Sequence, residues 1–157
     1  MVRICVLLAL VGTAFRVCGT AAALPDRRPA APGALPDPLA VLHQWDDARA
    51  AAWLRQDESG LRRLYVPGST AARTDVRRLR EYSDRGVQVV DLHTQIFSVR
   101  VLGRSGGSLR LVIVDRAVGS GMGRQRCVAL PVSPPRQRTV ELHRGGGGAW
   151  LVASVSG

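Results

Sequence analysis

The hydrophobic repeat of this chain changes once, near Gly86, from a helical spacing to an alternation of two. Before Gly86, apolar side chains recur every three or four residues, the spacing that places them on one face of a helix. After it, segments rich in β-branched residues alternate apolar and polar positions, as strands with one buried face do. Helices followed by a run of strands predict an α+β domain with an antiparallel sheet.

Three helices and five strands are predicted. Asp37 is predicted to cap a first helix that begins at Pro38, and Asp57 or Ser59 to cap a short second helix. The third helix is predicted to span 75–85, with Gly86 as its terminator. The predicted strands span 87–102, 109–118, 126–132, 138–144 and 149–155. The glycine-rich segment from Gly119 to Arg124 is predicted to be a hairpin loop, because no helix follows it to present amides to a phosphate.

The N-terminus has the three parts of a secretory signal. Arg3 precedes an apolar run of 12 residues at 4–15, and small residues lead up to Ala23, after which we expect cleavage. A spanning helix needs about 20 apolar residues, so the run is short for a membrane anchor. Lipidation at Cys18 is the weaker alternative, because a charged and a branched residue precede that cysteine. The sequence therefore predicts a secreted or cell-envelope protein with a signal peptide at 1–23.

A stiff tether and a single domain follow this leader. Residues 24–38 hold five of the nine prolines, which fix the backbone and remove hydrogen-bond donors, so this stretch predicts a semi-extended tether. Residues 39–157 remain as one domain. Cys127 is the only cysteine outside the leader, so the domain has no internal disulfide, and its apolar surroundings predict a buried thiol.

Two segments of the chain resemble a known superfamily. AAAWLRQDESGLRRLYVPGS at 50–69 is similar to the run of helix, acidic cap, short leucine-rich helix and tyrosine in the nuclear transport factor 2-like superfamily. GGGGAWLVASV at 145–155 is similar to the closing Gly-x-Trp strand of that superfamily. The resemblance covers roughly residues 38–155. It implies the cone fold of ketosteroid isomerase and polyketide-cyclase-like proteins, with three N-terminal helices packed in a curved antiparallel sheet of about five strands.

Within that superfamily, the chain is similar to small exported actinobacterial proteins, because it combines a leader, a proline tether and arginine-rich helices. The superfamily includes enzymes, ligand-binding proteins and interaction modules. The fold therefore does not choose among these functions.

Arginine supplies all 22 basic residues, against 12 acidic ones, for a formal charge of +10. Nucleic acid is not an expected partner, because aromatic residues make up only 4% and export separates the protein from it. The third helix instead predicts a contact with anionic lipid or an acidic envelope polymer, through Arg73, Arg77, Arg78 and Arg80. The alternative is an ordinary solvated basic face.

Four side chains are candidates for acid–base catalysis. His43 and Asp47 lie four residues apart on one helix face, where a carboxylate can orient an imidazole base. The alternative is an exposed helix pair. Asp91 and Asp115 lie on predicted strands, from which a carboxylate could point into the cone.

One predicted strand face carries candidate ligand contacts. His93, Gln95 and Phe97 alternate along it, which predicts polar points at the mouth of an apolar cavity, or else the exposed end of a half-buried strand. No metal or cofactor is expected, because histidine and cysteine show no close ligand spacing. A small hydrophobic ligand and a second copy of the chain are the remaining candidate partners.

These patterns favour an exported small-molecule-binding or protein-interaction module with no assignable chemistry. One alternative is an isomerase, cyclase or dehydratase-like enzyme acting on a small hydrophobic substrate. Another is a membrane-proximal envelope assembly factor. An enzyme would need an apolar pocket that at least one of the four acid–base candidates reaches. We also expect Trp150 to be a core residue that joins the sheet to the helices.

Overall fold

The computed structural model describes residues 36–123 and 126–157. Its elements are α1 (Pro38–Leu54), α2 (Glu58–Arg62), α3 (Thr70–Asp84), β1 (Gln88–Arg104), β2 (Ser108–Met122), β3 (Cys127–Ala129), β4 (Arg136–Arg144) and β5 (Trp150–Ser156). The α+β class and the antiparallel sheet of five strands are confirmed. The predicted signal peptide, most of the tether and Arg124 lie outside the described residues. None of the described helices is long and apolar enough to cross a membrane.

The helix starts follow from capping. Asp37 accepts a hydrogen bond from the Leu39 amide at 3.2 Å, and Asp57 accepts one from the Gly60 amide at 2.7 Å, as the sequence predicts. The predicted start of the third helix is wrong by five residues, since α3 begins at Thr70. Gly68 turns the chain there with a φ of 81°, so the helix can begin directly after the turn.

The sheet is antiparallel, with the strand order β1-β2-β4-β5, and β3 pairs with the far end of β2. The prediction of a loop from Gly119 is wrong, because the segment up to Met122 continues β2 and pairs with both β1 and β3. Glycine is required there by close packing. A Cβ atom on Gly119 would lie 2.4 Å from the carbonyl oxygen of Asp91.

The two edges of the sheet differ. The segment after α2 lies along β5, where the Val66 amide donates to the Val152 carbonyl at 2.9 Å and the Val152 amide donates to the Leu64 carbonyl at 3.0 Å. On the opposite edge, β1 has register shifts after Val89, Ile96 and Val101. Such irregularities bend a strand and increase its local twist.

The core lies between the helices and the inner face of the sheet. Leu111 and Leu142 on the strands and Leu61 on α2 are fully buried. The expectation that Trp150 is a core residue is wrong, because it pairs with the terminal residue of β4, Arg144, and is only half-buried at that end of the sheet. The expectation of a buried Cys127 is also wrong, since this residue on the short β3 is exposed.

Candidate functional site

A cavity of about 410 Å³ lies between α1, α3 and the inner face of the sheet. Pockets of this size hold small organic molecules. Much of the wall is apolar and comes from both layers, with Leu42, Trp45, Ile96, Ile113, Val140 and Val152 among its residues. The aromatic side of the wall is rigid, because Trp45 meets Tyr65 edge-on with ring centres 5.5 Å apart. Trp45 also donates from its indole nitrogen to the Leu64 carbonyl at 2.9 Å.

A hydrogen-bonded cluster around the buried carboxylate of Asp75 forms one side of the cavity. Arg49 donates to its two oxygens at 2.7 and 2.6 Å, and the Tyr65 hydroxyl donates at 2.7 Å. The Trp53 indole nitrogen adds a longer contact of 3.4 Å. Asp75 therefore joins α3 to α1 and to the segment after α2.

The electrostatics of this cluster follow from burial and pairing. Burial by itself opposes ionisation of Asp75, but the charge of Arg49 and the donated hydrogen bonds outweigh it and lower the pKa of the carboxyl group. Burial and the neighbouring carboxylate raise the pKa of the Tyr65 hydroxyl. Asp75 is thus held as an anion, and Tyr65 keeps its proton and donates it in a hydrogen bond.

A second buried carboxylate, Asp115, faces the cavity from β2. Its side chain is 2% exposed, and the Arg138 guanidinium on β4 donates to both oxygens, with the Nε contact at 2.8 Å. The bidentate pair occupies both oxygens of the carboxylate. Asp115 is therefore better placed to orient Arg138 than to take a proton from a ligand.

The third buried carboxylate is Asp46 on α1. It accepts hydrogen bonds from the Thr94 amide at 2.7 Å and from the Thr94 hydroxyl at 2.6 Å. Among the described side chains, no guanidinium forms an ion pair with Asp46. Each carboxylate oxygen keeps a free lone pair, so this group can still accept a proton or a hydrogen bond from a bound molecule.

The structure brings only one of the four acid–base candidates to the cavity, namely Asp115. His43 and Asp47 are exposed on α1, and no hydrogen bond joins them within the described part of the chain. Asp91 lies on the outer side of β1, where its carboxylate is 3.7 Å from the His93 Nδ1 atom and both side chains are more than half exposed.

The predicted ligand contacts His93, Gln95 and Phe97 also lie outside the cavity, because their strand positions alternate with Thr94 and Ile96, which line it. On the outer face, Arg116 donates to Gln95 at 2.7 Å. The same guanidinium lies 5.6 Å from the centre of the Phe97 ring.

The four arginines proposed as an anionic contact surface have different partners. Arg80 is held by Glu58 at 2.6 and 2.5 Å, and Arg77 lies 3.7 Å from Glu81. Arg73 donates to the Gly68 carbonyl and the Thr70 hydroxyl near the start of α3. Arg78 lines the cavity, and no described residue forms an ion pair or hydrogen bond with it.

Three polar residues of the site were not anticipated, although their helical positions contain a signal. Asp46 and Arg49 follow Leu42 at intervals of four and seven residues, so all three lie on the same face of α1. Asp75 lies between the buried Ala72 and Leu79 in the same way. The sequence feature that marks this site is therefore a charged residue on the helix face that otherwise carries the buried apolar residues.

Within residues 36–123 and 126–157, no group of three or more histidine, cysteine, aspartate or glutamate side chains is arranged to hold a metal ion. The three carboxylates of the cavity instead pair with Arg49, Arg138 and Thr94.

Several solved structures have this fold. Aln2 from a Streptomyces species matches with a TM-score of 0.52 and 16% identity over 78% of this chain and 91% of its own. A Catenulispora acidiphila protein solved in complex with S-DNPA matches with a TM-score of 0.50 and 15% identity, over 75% of this chain and 90% of its own. ActVI-ORFA from Streptomyces coelicolor matches with a TM-score of 0.50 and 12% identity, over 74% of this chain and 92% of its own.

At these identities the likeness shows the fold alone. It is consistent with the cone fold that the sequence resemblance implies. No family model matches the sequence, and no curated protein sequence does.

Proposed function

We propose that this domain binds a small, largely apolar molecule in the cavity between its helices and sheet. The observation that carries the proposal is a space of about 410 Å³ that combines aliphatic and aromatic walls with three ordered carboxylates. A wall of this composition provides apolar burial for a ligand and a few fixed polar groups to orient it. The Catenulispora acidiphila protein of the same fold, solved in complex with S-DNPA, supports this proposal.

The proposal is tested by filling the cavity. Ala71 on α3 lines it, so we expect Ala71→Phe to lower the affinity of the full chain for a neutral two-ring probe, 2-naphthylmethanol, by at least about tenfold. Calorimetric titration measures the affinity. The matched control is Ala48→Phe on α1, where the alanine is exposed and the affinity should not change. Equal binding by all three proteins would place the probe elsewhere and contradict the proposal.

We further propose, from the sequence of the leader, that this binding activity belongs to a secreted or envelope-associated protein. A protein-interaction role and an envelope assembly role are compatible with the exposed arginines. Neither role explains why the three buried acids and the apolar wall meet at one cavity, so ligand binding is the stronger proposal.

The second candidate function is an enzyme that transfers protons, and Asp46 is the observation that favours it. This carboxylate lies on the cavity wall without an arginine partner among the described residues, and Thr94 fixes both of its oxygens. A base of this kind can remove a proton next to a carbonyl group and return it at another carbon. His43 and Asp47 are exposed on α1 and do not line the cavity, so this proposal places the base at Asp46.

Exchange of carbon-bound hydrogen tests the enzyme hypothesis. In D₂O the wild-type chain should accelerate deuterium uptake next to the carbonyl of 2-tetralone, followed by NMR. Asp46→Asn should reduce that acceleration by about 100-fold or more. Asparagine can still accept from the Thr94 amide and donate to its hydroxyl, so the fold is kept. The control Asp47→Asn should exchange at the wild-type rate. Uptake at the uncatalysed rate in all three samples rules out this chemistry.

A further inference from the structure

A second depression adjoins the cavity, and its charge differs. This groove of about 450 Å³ runs along the sheet toward the segment before β4, where Pro131 and Ser133 line it. Five residues line both spaces, namely Arg49, Arg78, Asp115, Ala117 and Arg138. The shared residues place the two spaces side by side.

The groove is strongly basic. Its lining includes five arginines and one aspartate, namely Arg49, Arg78, Arg116, Arg136, Arg138 and Asp115. Two of the arginines are neutralised, because Arg49 pairs with Asp75 and Arg138 pairs with Asp115. In contrast, neither Arg78 nor Arg136 has an ion pair or hydrogen bond from its side chain among residues 36–123 and 126–157. The Arg116 guanidinium lies on the outer face of the sheet, beside Gln95 and Phe97, so the unpaired charge of the groove comes from Arg78 and Arg136.

The cavity itself has balanced charges. Three carboxylates and three guanidinium groups line it, and two pairs of them are joined directly. The positive excess therefore lies at one end of the combined space, and the apolar wall at the other. A guanidinium without a partner can donate two parallel hydrogen bonds to a carboxylate or a phosphate.

We infer that the ligand is a free organic anion, with a ring system in the cavity and a carboxylate or phosphate group in the groove beside Arg78 and Arg136. This inference rests on the proposed binding function and specifies its ligand class. The balanced charge of the cavity and the unpaired arginines of the groove account for both parts of such a molecule. Arg78, which lines both spaces, is the residue that selects the charged group.

A pair of matched probes tests the inference. 2-Naphthoate and 2-naphthylmethanol have the same rings and differ in charge, so the wild-type full chain should bind the acid at least about tenfold more tightly in calorimetry. Arg78→Gln should remove that preference, so that the acid binds no more tightly than the alcohol. The control Arg77→Gln changes an exposed neighbour on α3 that pairs with Glu81, so it should keep the preference. Because both arginines are exposed, neither variant should alter the melting temperature by more than about 2 °C.

The outcomes separate this inference from the proposed function. Equal affinity for acid and alcohol, with both lowered by Ala71→Phe, would leave the binding function standing and overturn the anionic class. Failure of both probes to bind at about 1 mM would overturn both proposals. Binding to phosphatidylglycerol vesicles that Arg77→Gln and Arg78→Gln weaken equally, without binding of 2-naphthoate, would place the anion on a bilayer and overturn the free-acid inference.

Discussion

Asp75→Asn should lower the free energy of unfolding by about 3–5 kcal/mol at neutral pH. The substitution keeps the size of the side chain but removes the charge that offsets the buried Arg49 guanidinium, which is only 13% exposed. The side-chain oxygen of the asparagine can still accept a hydrogen bond from the Tyr65 hydroxyl. The new amide group, however, replaces an oxygen that now accepts from Arg49, so two donors face each other. Denaturant titration of the full chain measures the loss.

The pH dependence distinguishes this ion pair from simple loss of packing. The folded pKa of Asp75 is lowered, so its contribution to stability is present above the unfolded value of about 3.9 and is lost as the pH falls through the folded pKa. The stability difference between wild type and Asp75→Asn should therefore be constant near neutral pH and shrink in acid. Asp47→Asn, at an exposed carboxylate on α1, should change stability by less than about 0.5 kcal/mol. A difference that stays constant into strong acid contradicts the ion-pair explanation.

Trp53→Ala should be about as damaging, with an expected loss of about 3–5 kcal/mol. Trp53 is 3% exposed, and its ring meets the Tyr82 ring with centres 5.9 Å apart. The Arg49 guanidinium lies 5.4 Å from the same indole, so the truncation removes packing on two sides.

Trp150→Ala is the matched control for this truncation, because the same side chain is removed from a half-buried position. We expect it to cost about 1–2 kcal/mol, measured by the same denaturant titration. The comparison uses one residue type, so the difference between the two losses reports how much of each indole is buried and packed. A loss at Trp150 equal to the loss at Trp53 would mean that the end of β5 is as tightly packed as the core, contrary to the structure.

The layers of this fold were predictable because they depend on periodicity. Asp37 before Pro38 marks the start of α1, and Gly86 ends the helical region with a φ of 68°. The start of α3 was placed too late in the sequence. Ser69 precedes this helix, but its side chain accepts no hydrogen bond from the amides of the first turn. The extension of β2 past Gly119 was missed since glycine usually indicates a turn, whereas here it permits close packing against β1.

The candidate site was only partly predictable, for a reason that concerns buried charge. Asp115 was anticipated because a strand gives each side chain one of two faces, and its position continues the buried row of Leu111 and Ile113. Asp46 and Asp75 were missed because charged residues on helices usually face solvent. Their burial depends on donors such as Arg49 and Thr94, which come from elements distant in sequence. Pairing at such distances is set by tertiary structure.

The different edges of the sheet limit how two copies of this chain could associate. The segment Leu64–Val66 already occupies the outer backbone groups at the middle of β5, so that side offers few of them to another strand. Within residues 36–123 and 126–157 no strand pairs with the outer edge of β1, but the register shifts of β1 break the even spacing that continuous pairing across two molecules would need. A homodimer of this domain would therefore be expected to join through side chains on the outer surface of the sheet, such as Phe97, rather than by extending one sheet into the next.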